Sequence, residues 1–210
     1  MKDLERALAD ITAIRSQLAR GTQFRGYGPV TVAATGLLAL LAAALQALSL
    51  PDPAATPLGY LALWAGMAAI AVILTGAEMV ARTRRVHGGL ADEMLYQAAE
   101  QYIPGGVAGT LVTVVIYRYA GDALWMLPGL WQIIFSLGFL ASCRSLPKPM
   151  FAVGVWYLTS GLACLAFANG AHALSPWAMA LPFGVGQLMM AAILYWGVGD
   201  NSVGDNDAEQ

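Results

Sequence analysis

Six stretches of this chain, at approximately 29–50, 57–80, 103–120, 123–143, 149–169 and 175–197, carry almost no ionisable side chain. About 20 apolar residues, rising 1.5 Å each as a helix, cross the ~30 Å hydrocarbon core of a bilayer. Helix is the form such stretches must take, because lipid offers a free backbone N–H or C=O no partner. Helix breakers separate them: "PDPAATP", "RTRRVHGG", "RYAGD", "RSLPKP" and "NGAHALSP". The composition agrees. Of 210 residues 58% are hydrophobic and 11% charged, whereas a water-facing domain carries roughly 25% charged residues. The sequence therefore predicts an all-α, polytopic membrane protein with six transmembrane helices. The bundle covers 28–198, preceded by a cytoplasmic segment at 1–27 and followed by an acidic, disordered tail at 199–210.

Charge sets the orientation. Arginine and lysine beside spans stay cytoplasmic. With the N-terminus inside, Lys2, Arg6, Arg15, Arg20, Arg25, Arg82, Arg84, Arg85, Arg144 and Lys148 all lie in the cytoplasm, and Arg118 alone lies outside. This predicts an N-in, C-in protein with short outer loops. Tyr27, Tyr102, Tyr195 and Trp196 fall at inner ends of spans, and Tyr60, Trp64, Tyr117, Tyr119, Trp125 and Trp177 at outer ends, where amphipathic rings prefer the headgroup layer. The first 27 residues mix charges without an apolar core and do not read as a secretory signal. A formal charge of −2 gives no reason to expect nucleic acid.

Two segments outside the spans are amphipathic. In "KDLERALADITAIRSQLAR" the residues Leu4, Leu8, Ile11 and Leu18 share a helical face, and in "GLADEMLYQAAEQY" Leu90 and Met94 do. We expect two cytoplasmic amphipathic helices, the second within an 82–102 connection. They would pack on the inner leaflet, on each other, or on a cytoplasmic protein partner.

Ionisable groups inside spans mark proton and ion routes, and here they are nearly missing; Glu78 has Arg82 one turn away. No H-E-x-x-H zinc pattern occurs. His87 and His172 fall on opposite sides, which does not suit a bis-histidine haem. Cys143 and Cys164 fall at different depths and read as packing residues. No catalytic residue, metal or cofactor is therefore assigned, and enzymatic activity is disfavoured. What remains near mid-depth is uncharged: Thr110, Thr113, Gln132, Thr159, Ser160 and Gln187, with Trp131, Trp156 and Tyr157. This set either lines a mostly apolar pocket for a small neutral ligand or ties helices together.

Glycine and proline punctuate two spans alike. Residues 103–117, "IPGGVAGTLVTVVIY", overlie 181–195, "LPFGVGQLMMAAILY". The match pairs Pro104 with Pro182 and Gly106 with Gly184. An inverted repeat of three spans would produce it, although the other spans do not align at this offset. The simpler account has Pro104 starting a helix, Pro182 kinking one, and Gly184 and Gly186 allowing close helix contact.

The stretches "FRGYGP" (24–29), "LADEML" (90–95), "LPGLWQI" (127–133) and "SPWAMALPFGVGQL" (175–188) resemble a group of small bacterial inner-membrane proteins without assigned activity. The resemblance implies a bacterial six-helix protein and transfers no functional residue. The Ala39–Ala43–Ala47 spacing also invites comparison with the substrate-binding subunits of vitamin importers. Two functions stay open. One is a non-enzymatic accessory or sensory protein acting through its amphipathic helices on a partner or on a second copy. The other is a small-molecule transporter or ligand-binding subunit using the mid-membrane set.

Overall fold

Proline positions the helix starts. Pro29 and Pro176 open their helices, where a missing N–H leaves no hydrogen bond unmade. In the first loop Asp52 Oδ1 accepts the N–H groups of Ala54 and Ala55 at 3.1 Å each, and Pro57 begins the next helix. The computed structural model describes residues 28–86, 91–141 and 148–206 and contains no strand among them. The described residues form α1 (Pro29–Ser49), α2 (Pro57–Val86), α3 (Ala91–Tyr119), α4 (Leu127–Ala141), α5 (Met150–Phe167) and α6 (Pro176–Asn206). Short 3-10 turns at Gly121–Met126 and Gly170–His172 precede α4 and α6.

Five of these segments are long and apolar enough to cross a membrane: Pro29–Ser49, Pro57–Ala81, Gly121–Ala141, Met150–Phe167 and Pro176–Trp196. α3 is of similar length, but glycines, threonines and Arg118 dilute its apolar stretch. Each helix packs on the next in chain order and α6 returns to α1, which closes a ring. The tightest neighbours are α1 with α6 and α4 with α5. Two apolar clusters fill the interior. Val32, Phe139, Met150, Val153, Tyr157 and Met190 form one. Ala39, Ala42, Tyr60, Trp64, Leu174 and Met179 form the other, and Phe183 touches both.

Several expectations change. α3 runs unbroken through Pro104, which lies inside the helix rather than at its start. The second amphipathic segment is accordingly no separate helix: α2 continues to Val86, and α3 already includes Ala91–Tyr102. At about 45 Å each, helices of 30, 29 and 31 residues outreach a ~30 Å core, so α2, α3 and α6 project beyond their apolar stretches. α6 stays helical to Asn206, into the stretch expected to be a disordered tail. Tyr60 and Trp64 are 1% and 5% exposed, so they belong to the interior and not to an outer aromatic belt. Tyr119, Trp177, Tyr195 and Trp196 are exposed, as belt residues would be.

Candidate functional site

The interior polar groups are placed by a defect in α6. Pro182 has no N–H to give the carbonyl four residues back, so the oxygen of Ala178 loses its helical partner. Gln132 of α4, fully buried, supplies one: its Nε2 donates to Ala178 O at 2.9 Å and to Pro128 O at 3.0 Å. The carbonyl of Pro182 itself accepts Trp156 Nε1 of α5 at 2.9 Å. Two expected pocket residues thus meet at Pro182, each on a backbone oxygen of α6.

The remaining members of the set are dispersed. Thr110 and Thr159 are exposed, and their hydroxyls donate to carbonyls of their own helices, Gly106 O at 2.8 Å and Val155 O at 2.9 Å. Thr113 donates to Gly109 O at 2.7 Å and accepts Trp131 Nε1 at 2.9 Å, which ties α3 to α4. Ser160 donates to Tyr157 O at 3.2 Å. Tyr157 is fully buried; its ring lies over Gly186, and its hydroxyl faces Gln187 without a well-formed hydrogen bond. These residues therefore do not surround one polar cavity.

A second clamp, absent from the sequence-based set, centres on Gln46 near the end of α1. Its Nε2 donates to Leu174 O at 2.7 Å and its Oε1 accepts Trp64 Nε1 at 2.8 Å. One buried amide thereby joins α1, α2 and the loop before α6. A lone glutamine in the run "LLAAALQALS" is the signal that could have revealed it, since lipid cannot satisfy an amide. Leu174, at φ 55, is the one non-glycine residue with a left-handed backbone among the described residues, and this turn presents the carbonyl to Gln46.

Glycines set the closest helix approaches. A Cβ on Gly36 of α1 would lie 3.3 Å from Gly184 O and 3.1 Å from Gln187 Cβ of α6. Gly129 of α4 and Gly161 of α5 face each other, and a Cβ on either would meet the other's carbonyl at 2.8 Å. Gly106 meets nothing within 4 Å and makes no such approach. At the start of α1, Gly28 N–H donates to Glu78 Oε2 of α2 at 3.2 Å. Glu78 thus holds the backbone amide at the entry to α1.

Two open grooves mark the surface. One, of about 450 Å³, runs between α5 and α6 past Trp156, Ser160, Cys164, His172 and Trp177. The other, of about 560 Å³, runs between the start of α1 and the later part of α6, past Val30, Ala34, Leu37, Ala192 and Trp196. Both are almost wholly apolar. Cys164 is free and buried, and no three His, Cys, Asp or Glu residues gather as a metal site among the described residues. Leu4, Leu8, Ile11, Leu18 and Leu90 lie outside the described residues, while Met94 falls on the first turns of α3.

Comparison of the chain with protein-family models, with curated proteins and with solved structures finds no match. The geometry itself defines a broad class: an all-helical protein with several helices of membrane-spanning length and apolarity. Its interior polar side chains are largely committed to helix carbonyls.

Proposed function

We propose that this is a non-enzymatic, multi-pass protein of the bacterial inner membrane, with six spans and both termini in the cytoplasm. It serves an accessory or sensory role through its cytoplasmic segments, on a protein partner or on a second copy. The observation that carries this reading is the fate of the mid-depth polar set: Gln132 serves the carbonyl that Pro182 leaves without a helical donor, Trp156 holds the carbonyl of Pro182 itself, and the threonines bond to their own helices. Groups so committed are poorly suited to reading a passing solute. The ten-to-one distribution of arginine and lysine supports the orientation.

A second reading, a ligand-binding or transport subunit, draws support from the apolar groove between α5 and α6. Its ligand would be a small apolar or neutral molecule entering from the lipid side.

Two variants separate the readings. Deleting residues 2–20 abolishes function if the cytoplasmic segment is the effector, and Gln187→Leu is then tolerated; a transporter gives the reverse in a flux assay. Orientation is checked by impermeant thiol labelling of intact cells in a background lacking Cys143 and Cys164. Asp122→Cys should label from outside and Ser16→Cys should not. Labelling of Ser16→Cys from outside would overturn the topology.

A further inference from the structure

We infer that the groove between α1 and α6 is the docking site for the chain's own N-terminal amphipathic segment, residues 4–18. Its lining mixes the small Ala33, Ala34 and Ala192 with the larger Val30, Leu37 and Trp196. Val30, Leu37 and Trp196 are 80%, 56% and 71% exposed. Small residues set among large ones accept an apolar ridge from outside.

The position of the groove selects the occupant. It links Pro29, the first residue of α1, to Trp196 near the end of the apolar part of α6. It therefore lies at the end of the bundle where the chain enters. Gly28 fixes that entry point, since its amide is held by Glu78 and its backbone is extended at φ −85, ψ 132. The 27 residues before it carry Leu4, Leu8, Ile11 and Leu18 at helical spacing.

The lengths match. As a helix, residues 4–18 measure about 22 Å, and Pro29–Leu37 runs about 13 Å. The link at 19–27 reaches up to about 30 Å, enough for the segment to fold across the groove. Tethering over so short a span gives an effective concentration of order millimolar. Lying across the mouth of the groove at headgroup level, the segment keeps Arg6 and Asp10 in the polar layer. It turns its leucines onto Val30 and Trp196, the posture of an interfacial amphipathic helix. The inference extends the proposal that residues 2–20 are the effector segment: docked, the apolar face is sheltered by the bundle, and released, it is offered to a partner.

The test uses the full chain in phosphatidylethanolamine/phosphatidylglycerol nanodiscs, with Cys143→Ala and Cys164→Ala. Cysteine is placed at Ala192 and, one at a time, at Leu8, Ile11, Leu18 or, on the polar face, Asp10. Oxidation should give an intramolecular disulfide from at least one apolar-face position, because a disulfide joins Cα atoms no more than about 7 Å apart, and none from Asp10→Cys. Adding Leu4→Asp should cut cross-linking by roughly tenfold, because a charge would enter the apolar contact. Equal cross-linking from both faces, or none, overturns the proposal, and covalent dimers assign the groove to a second copy instead. A spin label at Ala192→Cys gives a further readout. Its accessibility to oxygen should rise when residues 2–20 are deleted, and unchanged high accessibility would mean that acyl chains fill the groove. Failure here leaves the effector role of residues 2–20 standing, because that role is read from loss of function on deletion.

Discussion

The α4–α5 pair and the α2–α3 hairpin are built from similar material, apolar helices studded with glycine, and they use it in opposite ways. Gly129 and Gly161 face each other so closely that neither has room for a methyl group, whereas Gly66 and Gly76 of α2 and Gly106 and Gly109 of α3 meet nothing within 4 Å. The burial follows suit: 33% of the residues in the apolar windows of α1, α5 and α6 are buried, against 11% for α2. Lipid tails are as apolar as leucine, so no hydrophobic force draws helices together inside a membrane. Close packing and hydrogen bonds must do it. Glycine contributes only where the facing helix brings its own backbone to meet it. The contrast divides the ring into a tight half, α4, α5, α6 and α1, and a loosely held half, α2 and α3.

The sharpest way to break this contrast is to fill the glycines. Gly161→Leu would drive its side chain into Gly129 O and Ile133 of α4. It should destabilise the protein by about 1–3 kcal/mol or more, as overpacking does. Gly66→Leu should change stability little. Reversible unfolding in SDS, measured on both, checks the pair, and equal losses would erase the distinction between the two halves.

A smaller effect is expected at Pro182 of α6. Gln132→Leu removes the donor to Ala178 O and should cost about 1–2 kcal/mol, mostly from leaving a buried carbonyl without a partner. Pro182→Ala restores that carbonyl's own helical N–H. In a double-mutant cycle Gln132→Leu should then cost markedly less in the Pro182→Ala background. Additive losses would show that the amide does not serve the proline.

Gln46→Leu, which severs the link from α1 to Trp64 of α2 and to Leu174 O, should cost roughly 0.6–1.7 kcal/mol, the range for interhelical bonds in lipid. Loss of the Trp64 bond should also loosen the α2–α3 half first. Faster amide exchange in α2 than in α5 would report it. Smallest of all, Gly109→Ala should be neutral or stabilise by up to about 1 kcal/mol, because it adds helix propensity without a clash. SDS unfolding reads this as well.

The helical class could be read from the sequence because it rests on local properties: runs of apolar residues, and the prolines at 29, 57 and 176 that open helices. Pro104 misled, since a proline tolerated at a helix start is also tolerated inside a helix when the neighbouring backbone adjusts. The choice between the two depends on what the preceding residues do. Gln132 and Trp156 were singled out as polar groups at depth, but which carbonyls they would meet depended on three helices converging at Pro182, and no periodicity encodes that. Tyr60 and Trp64 were misplaced for a related reason. Being near the end of a span sets depth, while the face a residue turns inward is set by packing. Gly106 and Gly184 look alike along the chain and differ only in having a helix opposite.

A proline in the middle of a span is ordinarily a joint. In α6 the oxygens of Ala178 and of Pro182 are gripped from α4 and α5, so the joint is splinted from two sides. A tilt imposed at the far end of α6 pulls on both of those neighbours and on α1, its tightest partner, so strain at one end is handed on to the whole well-packed half.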